Sequence, residues 1–443
     1  MLKTSNRTNP GPWWWVTTLY FAEGIPYFIV NNISVVMFTN MGMSKGEMAM
    51  YTSLLYLPWV IKPLWSPFVD IIKTKRWWVL AMQIIISAAF ALLAFSLPDP
   101  SAEMIAEDNT SVSLFSWTLV LFWITAFASA THDIAADGFY MLALKPSDQS
   151  LFVGIRSTFY RLSSIFGQGV LVVIAGILER RTGDIPYAWS ITLLTAAVIF
   201  AMITIWHTFF LPRPSSDYER SDSTSGSARG ILKEFGRTFR TFFTKKNILI
   251  AMAFMLLYRL PEAFLVKLMN PFLLDPMSKG GLGLSTDAVG VIYGTVGVIA
   301  LTIGGILGGI SVSRWGLKKM MWPMAMSLTL PCLCFVFLAA FQPDSYLLIS
   351  SCVALDQFGY GFGFTSYMLY LIYFSEGEFK TAHYSLSTAF MALSMMLPGL
   401  IAGYIQELTG YVWFFVFVMI CCLVTVAVTS MVKVDPEYGK KQQ

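Results

Sequence analysis

The sequence predicts an all-α membrane protein, with twelve spanning helices in two pseudo-symmetric six-helix bundles. Three observations predict it. The 443 residues are 56% hydrophobic and only 13% charged, whereas a soluble domain has about 25% charged residues. The apolar residues come in long blocks, many of which reach the roughly 20 residues that cross a bilayer. The longest polar segment, 211–247, divides these blocks six and six.

The spans are expected at 14–38, 46–66, 77–97, 114–138, 151–178, 187–210, 247–272, 287–311, 320–341, 346–373, 381–404 and 411–432. Pro26, Pro58 and Pro398 fall inside them, as membrane helices allow where neighbours satisfy the backbone. The polar start MLKTSNRTNPGPWWW leads straight into the first full-length block, so no cleavable signal is expected.

Charge placement sets the orientation. With both termini in the cytoplasm, 21 of the 30 Lys and Arg fall in inner loops and tails. Only Lys45, Arg180, Arg181 and Lys279 fall outside, and the first outer loop, PDPSAEMIAEDNTS, has acids and no base. This is the positive-inside bias. It accounts for the net charge of +4, so no nucleic-acid partner is expected.

The domains are expected as a first bundle over 1–210, a cytoplasmic linker over 211–246, and a second bundle with a short cytoplasmic tail over 247–443. The linker opens Ser-rich from Ser215 to Gly230, which suits a flexible tether. It continues as ILKEFGRTFRTFFTKK, with Phe235, Phe239, Phe242 and Phe243 on one helical side. That pattern suits a helix on the inner membrane surface; a plain tether is the alternative.

The halves echo one another at separations of roughly 230 residues. SPFVDIIKTKRWW after span 2 parallels GGISVSRWGLKKMMW after span 8. Asp133 precedes GFYMLAL as Asp356 precedes GFGFTSYMLYL. Leu19-Tyr20 with Glu23 parallels Leu257-Tyr258 with Glu262. Parallel six-plus-six repeats are a transporter plan.

Ionisable groups inside the spans carry the functional reading, because a mid-membrane charge costs about 2.5–3.5 kcal/mol on insertion scales. They include Glu23, Lys62, Arg156, Arg161, Arg259, Glu262, Lys267 and Asp356, with Asp133 and Asp137 towards the inner end of span 4. Asp133 and Asp137 share a helix face at i, i+4 spacing. Arg156 and Tyr160 share another, and Arg259 is placed to pair with Glu262 across a kink at Pro261.

Two roles compete for each acid: proton carrier, or fixed partner of a base. Glu23, Asp133, Asp356 and Asp137 are the expected proton-coupling acids. Glu23 sits in Glu-Gly-Ile-Pro, a locally loosened stretch suited to gating. Guanidinium forks match carboxylates and phosphates, so Arg156 and Arg259 are expected at an anionic ligand, with Lys267, Tyr160, Gln357 and Glu262. An inter-helix salt bridge with Asp133 or Glu262 is the competing role for the arginines. His132 is expected as a polar helix-end residue, with a proton relay as the alternative. Asp70, Arg76 and Arg314 are expected as gate residues that clasp helices at the inner face.

Trp13, Trp14, Trp15, Trp77 and Trp78 cluster at span ends as interfacial anchors. The cysteines Cys332, Cys334, Cys352, Cys421 and Cys422 lie in apolar runs. They suit small core hydrophobes, not staples or metal ligands. TIGGILGG in span 8 suits small-residue helix packing; it lacks the Lys-Ser/Thr of a phosphate loop. No enzyme, metal or cofactor is expected.

KPLWSPFVD after span 2, ATHDIAADGFYMLAL in span 4, and LMNPFLLD with LGLSTDAVGVIYGTVGVIALTIGGILGG across spans 7 and 8 resemble AmpG-type muropeptide permeases. They also resemble the related acetyl-CoA transporters, another branch of the major facilitator superfamily. The resemblance extends over all twelve spans, and the span 4 motif is its most specific part. It implies the major facilitator fold and proton-driven import of an anhydromuropeptide across the inner membrane. The implied partners are that small molecule, protons and membrane lipid, with the chain acting as a monomer. A sugar, acyl-CoA or drug-like anion is the alternative cargo, and a non-transporting receptor of the same fold the alternative class.

Overall fold

The computed structural model describes residues 11–97, 109–144, 146–215, 217, 228–377 and 380–440. The acidic loop at 98–108 and most of Ser215–Gly230 lie outside this set. Every regular element among the described residues is helical.

Among the described residues ten helical stretches are long and apolar enough to cross a membrane. The last run, Lys380–Met431, turns back at Gly410, whose φ of 74° is left-handed, and so forms spans 11 and 12. Span 2, expected unbroken over 46–66, is two pieces, Lys45–Leu54 and Leu57–Ile71. Pro58 lies in the first turn of the second piece and has no N–H to continue the first. Together these are compatible with twelve crossings.

The others follow in order. Span 1 is Pro12–Asn40, span 3 Lys75–Ser96, span 4 Asn109–Ala143 and span 6 Ile185–Phe210. Span 5 runs through Pro146–Ser164, Ile165–Leu171 and Val172–Thr182. Span 7 is Ile248–Leu257 and Leu260–Leu274, parted at Tyr258 and Arg259 just ahead of Pro261. Spans 8, 9 and 10 are Thr286–Trp315, Leu317–Phe341 and Tyr346–Ser375.

Lipid is as apolar as Leu, so burial alone does not hold such helices together; close packing and polar contacts do. In the first bundle Phe38, Phe90, Phe122, Trp189 and Phe200 are fully buried in one cluster. In the second, Phe272, Phe335, Phe414 and Phe415 play that part. Gly304 lies against the Phe358 carbonyl, where spans 8 and 10 cross backbone to backbone. TIGGILGG thus packs as its small residues suggest.

Among the described residues three π-helical stretches interrupt the spans: Ile29–Ile33, Ile165–Leu171 and Ile292–Gly297. Their wider turns leave backbone groups less regularly paired and mark functional sites in many helices. The last two meet where the bundles touch. A Cβ at Gly294 would overlap the Gln168 carbonyl.

The two bundles are tied at the face that bears the turns at Gly42, Gly183, Gly280 and Gly410. Lys45 pairs with Asp275 at 2.8 Å, and Arg180 pairs with Asp287. The Asn40 amide reaches both Glu179, at 2.7 Å, and Thr286, at 2.8 Å.

Two expectations need correction. The linker helix, Ala228–Phe243, does not simply lie on a membrane surface. Phe242 is fully buried, stacked 6.1 Å from Phe390 and set against Phe374 and His383. Lys245 then donates to the Phe374 and Glu376 carbonyls. Aromatic pairing with the second bundle outweighs interfacial seating; the Phe235 side chain lies outside the described residues. Among the expected anchors, Trp13, Trp14 and Trp77 are exposed, but Trp15 is buried edge-on to Phe139.

Candidate functional site

The acids of the first bundle are brought together by four helices. Span 1 supplies Tyr20 and Glu23, span 2 Lys62, span 4 Asp133 and Asp137, and span 5 Arg156. Spans 1 and 5 come this close because Gly24 sits where a Cβ would overlap Ser163. The i, i+4 spacing gives each aspartate its own cation. Lys62 pairs with Asp133, and Arg156 pairs with Asp137 at 3.0 Å. Tyr20 donates to Asp137 at 3.0 Å, and its ring lies 4.4 Å beneath the Arg156 guanidinium. Of the two pairs, Lys62–Asp133 is the more buried.

Glu23 is buried and lies three residues after Tyr20, on the face of span 1 that turns to span 4. Its Oε2 has no hydrogen-bond partner. Among the described residues the cluster therefore contains the carboxyls of Glu23, Asp133 and Asp137 but only the cations of Lys62 and Arg156. Lys62 was legible as an in-span charge; its partner was not, because that depends on how spans 2 and 4 cross.

The second bundle holds its acids differently. Glu262 is buried and neither carboxyl oxygen has a hydrogen-bond partner. Asp356, also buried, accepts from Gln357 at 3.0 Å. The expected Arg259–Glu262 pairing does not form. Arg259 stands at the break in span 7, and its fork turns to the Tyr360 hydroxyl. There the guanidinium packs 4.7 Å from Phe364 and 5.3 Å from Tyr360. Its Nε is buried with no partner. Aromatic faces thus take the cation that local spacing had assigned to a carboxylate.

Lys267 is buried at the junction of the bundles. It donates to Thr52 Oγ1 at 3.1 Å and lies 5.0 Å from the Tyr56 ring centroid. Tyr160 turns away from Arg156 towards Phe28 and Tyr27, at ring separations of 5.6 and 6.4 Å.

His132 is no helix-end residue. It is fully buried and opens a chain of side chains: His132 to Gln83 at 2.9 Å, Gln83 to His207 at 3.0 Å, and His207 to Thr18 at 2.9 Å. This chain binds spans 4, 3, 6 and 1. Periodicity gave no hint of it, since its members are far apart in sequence.

Two of the residues expected at the inner gate make contacts within their own bundles. Arg76 donates to the carbonyls of Thr208, at 2.7 Å, and Leu211, at 3.3 Å, capping span 6 of its own bundle. Arg314 lies over its neighbour Trp315. The Asp70 side chain lies outside the described residues.

A profile of the Major Facilitator Superfamily matches residues 16–382. The chain belongs to the Major Facilitator Superfamily. An uncharacterised protein of Haemophilus influenzae is 24% identical over 428 residues, 92% of each chain. The anhydromuropeptide permease of Escherichia coli K12 is 23% identical over 414 residues, 90% of this chain and 75% of that protein. The similarity to AmpG-type permeases thus extends over most of the chain. The fold matches that of a D-xylose-proton symporter with a TM-score of 0.71 at 12% identity, covering 96% of this chain and 98% of the other. A point mutant of the nucleoside transporter NupG matches at 0.66 and 15% identity, covering 94% of this chain and 97% of the other. The protein is a multi-pass membrane protein of a transporter superfamily.

Proposed function

We propose that this protein is a proton-coupled importer of an anionic sugar-peptide, such as an anhydromuropeptide, across the inner membrane, with both chain ends in the cytoplasm. The observation that carries the reading is that, among the described residues, Glu23, Asp133 and Asp137 share only Lys62 and Arg156. An uncompensated carboxylate in a dry site is costly. A proton balances the third acid, and its arrival or departure changes the charge of the cluster. Glu23, deepest and incompletely bonded, is the coupling acid, with Asp133 as its immediate partner. Asp356 and the unpartnered Glu262 form the corresponding acid site of the second bundle. Arg259 and Lys267 receive the carboxylates of the cargo.

Access alternates as the bundles rock about the Gly294–Gln168 crossing. The Lys45–Asp275 and Arg180–Asp287 pairs close the outer face. Asp70, Arg76 and Arg314 act at the inner gate in the opposite state. The test is uptake of labelled anhydromuropeptide into vesicles under an imposed pH gradient. Glu23→Gln is expected to abolish gradient-driven uptake; full uptake by that variant removes Glu23 from the mechanism.

A further inference from the structure

The charged residues of the interior leave out a second chemistry. Span 1, span 2 and span 5 turn aromatic rings towards one another where the bundles meet. Tyr27 lies edge-on to Trp59 at 5.2 Å and to Tyr56 at 6.4 Å, with Tyr160 at 6.4 Å on its other side. Tyr27, Trp59 and Tyr160 are only half-buried. Trp59 is also misplaced for a membrane anchor, which belongs at a span end; it lies inside span 2, immediately after Pro58.

The opposing surface is cationic. Lys267 reaches Tyr56 from the second bundle. Arg259 stands two turns earlier on the same span, and its buried Nε lacks a partner. Neutral rings of the first bundle thus meet one cation of span 7, and a second stands two turns from it.

We infer that the site is divided by chemistry: Tyr27, Trp59 and Tyr160 stack against the C–H face of a pyranose ring, while Arg259 and Lys267 hold the anionic arm of the same ligand. This rests on the sugar-peptide reading above and assigns each half of the ligand to one bundle. Aromatic faces suit a pyranose because its axial C–H bonds are apolar and weakly positive, matching the negative face of the ring. They offer little to a carboxylate. The cations offer the reverse, and a buried guanidinium donor without a partner is suited to a carboxylate oxygen. A ligand with both parts bridges the bundles, so it binds tightly only when they approach each other.

The test uses the purified full-length protein and two probes, the neutral disaccharide N,N′-diacetylchitobiose and the acidic dipeptide N-acetyl-Ala-Glu, in equilibrium binding. Trp59→Ala is expected to weaken the disaccharide at least tenfold and the dipeptide less than threefold. Arg259→Gln is expected to weaken the dipeptide at least tenfold. Trp59→Phe, which keeps a stacking face, is expected to restore disaccharide binding to within threefold of the wild type, excluding misfolding as the cause. Unchanged disaccharide binding by Trp59→Ala, or equal loss of both probes in Trp59→Ala and Trp59→Phe, overturns the division. If the wild type still imports anhydromuropeptide in vesicles, that failure leaves the transport reading standing. If the wild type neither imports it nor binds either probe, both fall.

Discussion

Lys267 of span 7 places its ammonium 5.0 Å from the ring centroid of Tyr56 and 3.1 Å from Thr52 Oγ1, both in span 2. A cation of the second bundle is therefore seated on neutral groups of the first. Among the described residues no carboxylate is paired with it. A buried charge without a counter-ion is unfavourable, so its retention points to work done when a ligand or proton arrives.

Lys267→Met exchanges that charge for a flexible apolar chain of similar length. We expect the variant to unfold several degrees higher in detergent, read by a thermal fluorescence scan, and to lose at least tenfold in uptake. A variant less stable than the wild type would show that the ammonium is structural.

Lys62 and Asp133 pair within a cluster that is mostly shielded from solvent. Breaking such a pair on one side leaves the other charge alone, at a cost of about 3–5 kcal/mol when fully buried; partial exposure lowers this to about 1–3 kcal/mol. Lys62→Met and Asp133→Leu are each expected to destabilise. The double variant is expected to recover most of the loss while remaining inactive. Independent, additive losses in a double-mutant cycle would disprove the coupling.

Lys45 and Asp275 join the bundles at 2.8 Å. The double variant Lys45→Cys/Asp275→Cys, bridged by a bifunctional methanethiosulfonate reagent, is expected to hold this face closed and stop uptake. A reductant is expected to restore it. The five native cysteines are free, with only Cys334 less than buried. Uptake unaffected by a demonstrated cross-link would show that this face does not open.

Gly294 lies on the Gln168 backbone. Gly294→Val inserts branched carbons where the chains cross and is expected to keep the bundles apart at this point. A membrane-impermeant thiol reagent should then label Lys45→Cys several times faster than in the Gly294 background. Equal labelling rates would remove Gly294 as the crossing that permits closure.

Phe242 anchors the linker helix between Phe374, Phe390 and His383. Deleting a buried aromatic ring costs about 3–5 kcal/mol in a soluble core. Phe242→Ala is expected to release the helix, raising the rate of limited proteolysis between residues 228 and 247 at least fivefold. Unchanged proteolysis would mean that Lys245 and the backbone hold it unaided.

Much of this architecture was legible before any coordinates. Long apolar blocks, their six-and-six grouping and the in-span charges all follow from one constraint: a backbone in lipid must satisfy its own hydrogen bonds, and a charge there needs a partner or a task. Asp133 and Asp137 were recognisable as co-facial because helix periodicity is local. The expected spans fall on the observed helices, but span 2 is split ahead of Pro58 and span 7 is parted ahead of Pro261.

Pairing belonged to the tertiary structure. Arg259 sits three residues from Glu262, yet its cation goes to Tyr360 and the rings of span 10, because a break in span 7 turns the side chain. His132 looked peripheral by position, yet Gln83 and His207 make it the end of a buried chain. Sequence determined which residues must avoid lipid, since that depends on each side chain's own solvation. Which of them meet depends on how helices distant in sequence cross, and only the packing of those helices decides that.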